Sequence, residues 1–289
     1  MRRAFLELLR PANVATSLAD VLAGNAVAGL GGWRSLAWLL VSTAALYAGG
    51  VVLNDVFDRD IDRVERPERP IPSGRVTTAA AATLGTILLA AGLLAAQRAS
   101  HESFLVALLL AGAILLYDAW GKRHPLFGPV NMGACRGLNL ILGMTTVAGA
   151  AGAHWPLGLI PLFYICAVTI VSRGEVTGGT RRAANIALTL HALVFGLLAG
   201  VAIARPGPMS TPAALLLTAF LAWRVWPAFW SARQNTGAAV IRNAVKTGVL
   251  SLVFLDAAIG AAYAGMIYSL AILATAVLAG RLARAFAVT

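Results

Sequence analysis

Apolar runs of about twenty residues recur along the whole 289-residue chain, with short polar gaps between them. A run of that length crosses the hydrocarbon of a bilayer as a helix. Inside lipid only a helix or a closed barrel satisfies its own backbone groups, and the two-residue alternation of barrel strands is absent. The fold class expected is therefore all-α, a polytopic membrane helical bundle. Ten segments are expected, near Ala12–Leu30, Ser35–Leu53, Thr77–Ala96, Ser103–Trp120, Pro129–Ala148, Trp155–Val171, Ala183–Ala204, Pro212–Ala222, Val245–Tyr263 and Met266–Gly280. The eighth is the weakest, because Arg224 and Pro227 cut it short.

Only 12% of the residues are charged, yet Lys and Arg exceed Asp and Glu by 23 to 12, for a net charge of +11. Such a balance can signal nucleic acid, but there is no basic stripe interleaved with aromatics, and no nucleic-acid partner is expected. The cations sit in the gaps between apolar runs, where they report topology. With the N-terminus on side one, side two holds only Arg34, Arg98 and Arg205. Arg136 lies inside a span, and every other Lys or Arg, from Arg2 to Arg284, falls on side one. Side one is then cytoplasmic, in a bacterial inner (cell) membrane. The N-terminal Met1–Pro11 stretch reads as an amphipathic lead-in without a signal-peptide layout, so the first span is expected to be retained. The whole of 1–289 is expected to form one domain. Cys135 and Cys166 lie inside apolar runs as packing residues. The Gly133-x3-Gly137 and Gly196-x3-Gly200 pairs suit close helix approach within the chain.

Half of the acid is concentrated in one stretch. Asp55, Asp58, Asp60, Asp62, Glu65 and Glu68 fall within fourteen residues, and six acids serve the rest of the chain. Taken as a continuation of the second span past the bilayer, Asn54, Asp58 and Asp62 form one helical stripe with Asp55 beside it. Like carboxylates at i, i+4 repel, so the stripe calls for a neutralising cation. Carboxylate and amide oxygens suit Mg²⁺, which shares its shell with substrate phosphates. Pro67, Pro70 and Pro72 then end any helix, and Arg69-Pro-Ile-Pro-Ser-Gly-Arg75 makes a stiff basic loop suited to a phosphate.

At these residues the chain resembles the UbiA superfamily of intramembrane prenyltransferases. The family's first motif, Asn-Asp-x2-Asp-x3-Asp, matches Asn54, Asp55, Asp58 and Asp62, and Arg69-Pro-x-Pro-Ser-Gly-Arg75 matches its continuation. Tyr117-x4-Lys122-Arg123 is similar to a Tyr…Lys-Arg element of the family, and Leu9-Arg10-Pro11 with Asn13 is also familial. The second family motif, normally two Asp four residues apart, reads here Ser172-Arg173-Gly174-Glu175-Val176-Thr177-Gly178-Gly179, which keeps one carboxylate. That departure resembles the divergent EboC-like branch.

The resemblance implies a bundle of nine to ten transmembrane helices around a central cavity. It implies Mg²⁺ held by Asn54, Asp55, Asp58, Asp62 and Glu175, with Asp58 and Asp62 catalytic. Asn54, Arg69, Tyr117, Lys122, Arg123, Arg173 and Arg181 would bind the substrate. The partners implied are a prenyl diphosphate donor, an unknown lipophilic acceptor and membrane lipid. Of the remaining polar residues, Asp20 is expected to face the interior, with Arg136 and Asn139 pairing with it or lining the cavity. Asp256 is expected to pair structurally, and Asp118 either to do the same or to orient the basic pair. His191 is expected to pack, and Asn185 to face the cavity mouth. The alternative reading is a transport or assembly protein on a degenerate prenyltransferase fold. A phospholipid-synthesis phosphotransferase is disfavoured, because its Asp-Gly-x2-Ala-Arg run is missing.

Overall fold

The computed structural model describes residues 2–285, with side chains from Arg3 to Leu282, so the side chains of Arg2 and Arg284 lie outside the described residues. Among these residues the structure is helical throughout. The helices are α1 (Arg2–Leu9), α2 (Pro11–Val27), α3 (Trp33–Phe57), α4 (Arg59–Glu65), α5 (Thr78–Ala99), α6 (His101–Ala119), α7 (Phe127–Met144), α8 (Ala150–His154), α9 (Leu159–Ser172), α10 (Arg181–Ala204), α11 (Ser210–Gln234) and α12 (Ala238–Ala285). Single 3₁₀ turns at Gly121–Arg123 and Trp155–Gly158 follow α6 and α8.

Seven described helical stretches are long and apolar enough to cross a membrane. The last runs Ala238–Leu282 and is broken at Gly265, whose φ of 81° lies where glycine is at ease. This break falls between the two expected C-terminal segments. α2 and α7 are shorter and carry the interior polar residues, and their neighbours shield them. They meet through glycines: a Cβ on Gly24 would strike the carbonyl of Leu140, and one on Gly143 that of Val21. Gly133 and Gly137 bring α7 equally close to Leu162 and Gly158 on the α8–α9 stretch, the intramolecular packing expected of them. Gly196 and Gly200, by contrast, face open space.

Two expectations are corrected. The weak eighth segment is in fact a full helix, α11, with Pro227 inside it. Arg224 does not interrupt it, because its Nε donates to Ser251 Oγ at 2.9 Å and its guanidinium lies 6.0 Å from the Phe254 ring centroid. The stripe from Asn54 to Glu65 is not one straight helix either. Asp58 (φ −90°, ψ 0°) separates α3 from α4, although the Asp58 amide still donates to Asn54 O and the Asp62 amide to Asp58 O.

The connections sort onto two faces. On one face Arg10 reaches Asp55, Arg75 reaches Glu7, Arg173 reaches the 121–123 turn, and Arg242 reaches Glu175. On the other, the Gly149 amide donates to Glu102, Arg205 lies over Tyr263 at 4.0 Å, and Asn25 bonds Tyr268. This is the grouping that the distribution of cations required, except that Arg224, expected in a connection on the first face, lies inside α11.

Candidate active site

A cavity of about 550 Å³ opens among α3, α4, α6, α7, α9 and α12. Its mouth is lined by Asn54, Asp58, Asp62, Arg66, Arg69, Lys122, Arg123, Arg173 and Glu175. Its deeper wall is apolar at Val51, Leu110, Ile114, Met132, Ile165, Val168, Val245 and Val249. The expected stripe survives the break at Asp58: Asn54, Asp58 and Asp62 all face this space.

Each acid of the stripe is held by a named cation. Lys122 Nζ lies 2.7 Å from Asp58 Oδ1 and donates to Asn54 Oδ1 at 3.0 Å, while Asn54 Nδ2 donates to Asp58 Oδ2 at 3.2 Å. Arg69 Nη1 donates to Asp62 Oδ2 at 2.7 Å and contacts Asp55 Oδ1 at 3.3 Å. Asp55 is buried and turned away from the cavity, where Arg10 Nη2 meets it at 2.5 Å. Arg10 itself adopts φ 44°, a left-handed conformation unusual for arginine, immediately before Pro11. The ion pair is what the strained backbone secures.

Glu175 sits in the turn after α9, half-buried at the cavity mouth, and its Oε1 has no partner. Burial pushes its carboxyl above the ordinary carboxylate range, against the pull of Arg66, Arg242, Arg10 and Arg69. The turn around the missing acid is closely packed. A Cβ on Gly174 would come within 2.5 Å of the Gly179 Cα, and one on Gly179 within 2.9 Å of Ile241 Cδ1. The Gly179 amide donates to Thr236 O at 2.8 Å, and Arg242 Nη1 donates to Glu175 O at 2.8 Å. The loop is thus closed against the start of α12 by backbone contact.

Among the described residues no three His, Cys, Asp or Glu side chains converge as a ready metal site. The carboxylates are spread apart by the cations that hold them. The donor chemistry nevertheless fits a hard divalent ion. Asn54, Asp58 and Asp62 present only oxygens and an amide to one cavity, and Glu175 Oε1 is buried without a hydrogen bond.

Arg173 is exposed but spans the mouth, its Nη2 donating to Lys122 O at 3.1 Å and Arg123 O at 3.3 Å. Tyr117 lines the wall. Arg181 is exposed in the first turn of α10 and does not line the cavity, and Asn185 bonds Arg233 Nε at 2.7 Å on the protein surface. His191 is fully buried with its ring against Tyr164, Phe195 and Phe229; it packs as expected, but neither ring nitrogen has the hydrogen-bond partner expected of a satisfied histidine. Deeper in the bundle, Arg136 Nη1 donates to Asp20 Oδ2 at 2.6 Å and its Nη2 to Thr16 at 2.8 Å; Asn139 donates to the same Asp20 oxygen at 2.8 Å. Both also line the cavity. Asp256 lies fully buried beside Asp20 and Arg136. The sequence reading did not place Arg10, Arg66 or Arg242 at the site. For Arg10 the Leu9-Arg10-Pro11 signature was the available signal; for Arg66 and Arg242 only their side of the membrane was.

The model of the UbiA prenyltransferase family matches residues 17–249. A digeranylgeranylglyceryl phosphate synthase of Sulfurisphaera tokodaii is 31% identical over 202 residues, covering 62% of this chain and 68% of that one. The synthase of the same name from Methanothrix thermoacetophila is 36% identical over 140 residues, covering 48% of this chain and 52% of its own length, so the chain spans about half of that relative. The solved structure of a UbiA homologue from Archaeoglobus fulgidus bound to GPP and Mg²⁺ superposes with a TM-score of 0.68 at 18% identity, covering 94% of this chain and 99% of that one. These relatives give no support to the EboC-like branch. The helical bundle, the mouth built on Asn54, Asp58 and Asp62, and a family match across most of the chain have one common explanation: the chain belongs to the UbiA prenyltransferase family.

Proposed function

We propose that this integral membrane protein transfers a prenyl group from a prenyl diphosphate to a lipophilic acceptor within the membrane, with Mg²⁺. The observation that carries this reading is the polarity of the cavity, with Asn54, Asp58, Asp62 and Lys122 at its mouth and an aliphatic wall below them. The A. fulgidus homologue with the same fold binds GPP and Mg²⁺, and the named relatives are synthases of a prenylated glyceryl phosphate. We infer a cytoplasmic mouth, because the cations gather on that face. Membership of a branch other than that of the named synthases is not favoured by any observation.

Asp58 and Asp62, with Asn54, would hold the metal, and Glu175 would contribute from the facing turn. When bound, Mg²⁺ supplies charge neutralisation for the departing diphosphate. Lys122 and Arg69, freed from Asp58 and Asp62, would then face the diphosphate oxygens, joined by Arg66, Arg123 and Arg173. The apolar wall takes the prenyl chain and keeps water from the allylic carbon. Asp55 acts one step back, fixing Arg10 and Arg69.

The Gly179 position favours the alternative reading of a non-catalytic transport or assembly protein. The two are separated by incubating the protein with isotopically labelled prenyl diphosphates and native lipid extract, then reading products by mass spectrometry. A labelled lipid is expected from the wild type and none from Asp58→Ala or Asp62→Ala, with each variant still inserted. Full activity in both variants overturns the assignment.

A further inference from the structure

Two carboxyl groups meet deep in the bundle, away from the cavity. Asp20 of α2 and Asp256 of α12 are both 0% exposed, and their side chains lie within hydrogen-bond reach of each other. Arg136 Nη1 and Asn139 Nδ2 donate to the same atom, Asp20 Oδ2. That leaves Asp20 Oδ1 and both oxygens of Asp256 without a donor. Leu252, Leu255 and Ile259, on the same stretch of α12, are equally buried, so the pair sits in apolar surroundings.

The charges around the pair do not balance. Facing Asp256 are Asp20 from α2, Arg136 from α7 and Tyr164 from α9. Tyr164 donates its hydroxyl to Gly248 O, and the His191 ring of α10 packs on Tyr164. Arg224 of α11 is engaged by Ser251 and the Phe254 ring. Two carboxylates against the Arg136 guanidinium leave one negative charge uncompensated in an apolar interior. Ionised carboxylates are also acceptors only, so neither could bond the other. One proton removes both difficulties. The protonated oxygen donates to the facing carboxylate, and the cluster becomes neutral. A metal ion does not, because a hard cation takes about six oxygens or more and three are unclaimed here.

We propose that Asp20 and Asp256 form a buried monovalent-cation site whose occupant is one proton, shared between the two carboxyl groups and clamping α2 to α12. The proposal does not depend on the transferase reading. Asp20 stands seven residues after Asn13, and Asp256 seven after Val249; Asn13 and Val249 both line the cavity. The clamp thus sits two turns, about 10 Å, along each helix from the cavity, and it holds two of the cavity walls together. Further along, Tyr268 makes a second junction, accepting from Asn25 and donating to Leu22 O.

The test uses the full chain in detergent and reads infrared absorption and thermal unfolding. At neutral pH, the spectrum of wild type minus that of Asp256→Asn is expected to show the carbonyl band of a protonated carboxyl, which a carboxylate lacks. Unfolding releases the shared proton, because an exposed aspartate ionises at about pH 4. The folded state then binds more protons than the unfolded one, so the wild-type Tm is expected to fall relative to that of Asp256→Asn as the pH rises from about 6 to about 9. Neither Tm is expected to respond when Na⁺ is replaced by a large organic cation. A difference spectrum without the carboxyl band overturns the proposal, and so does a parallel pH response of the two proteins. A wild-type Tm that drops on removal of Na⁺, while that of Asp256→Asn does not, overturns it as well, since a metal ion is then the occupant. Should Asp256→Asn not accumulate in the membrane, Asp20→Asn is read in its place. One carboxylate then faces Arg136, so the band is again expected to be lost, and a band that persists overturns the proposal.

Discussion

Arg136 keeps its charge inside the bundle because Asp20, Thr16 and the Tyr47 ring, 5.1 Å from its guanidinium carbon, surround it. Asn139 completes the arrangement by donating to Asp20 and accepting from Thr43 Oγ1 at 2.7 Å. Removing one partner of such a buried pair leaves the other uncompensated. Arg136→Met should lower stability by about 3–5 kcal/mol, and the Asp20→Asn, Arg136→Met double variant should lose less than Arg136→Met alone. Unfolding in detergent, followed by circular dichroism, checks both; equal stability of wild type and Arg136→Met contradicts the account. This cluster was legible in the sequence, since an Arg and an Asn one turn apart inside an apolar run need a partner and Asp20 was at hand. The roles within the acidic stripe were less legible. Asp55 and Asp58 are three residues apart at the end of α3, yet one turns to Arg10 and the other to the cavity, and only tertiary contacts decide which.

Among the elements, the α9–α10 turn carries the departure from the family pattern. Its shape follows from Gly174, where an added Cβ would meet the Gly179 backbone, while Gly179 itself packs against the end of the Ile241 side chain. Gly174→Ala puts a methyl against backbone and should cost about 1–3 kcal/mol. Gly179→Ala meets only the flexible end of Ile241 and should cost less. Thermal unfolding of the two variants in detergent checks the order, and a reversed order contradicts the packing explanation. Sequence alone showed the missing acid but not the packing around it, because the neighbours, Ile241 and Thr236, lie some sixty residues away. α11 teaches the converse lesson. Arg224 looked like an interruption only because its partners on α12, Ser251 and Phe254, were invisible in a linear reading.

Across the whole molecule, the same cations that orient the chain also build its site. Arg10, Arg69, Lys122, Arg173 and Arg242 come from five separate stretches of the chain, and the bundle brings them to one rim. Apolar runs placed most of the spans to within a few residues, the eighth excepted, and charge placement grouped their connections, because both respond to the bilayer rather than to distant contacts. The cavity volume and the orphan oxygens of Asp118 and Glu175 depend on packing and could not be read that way. The central claim is that the rim captures a diphosphate through a divalent cation held by Asp58 and Asp62. Titration calorimetry with geranyl diphosphate, with Mg²⁺ and then with EDTA, addresses it most directly. The account predicts saturable binding in Mg²⁺, loss of that binding in EDTA, and at least ~10-fold weaker binding in Asp58→Asn and in Asp62→Asn. Equal affinity with and without Mg²⁺, unchanged in both variants, would contradict it.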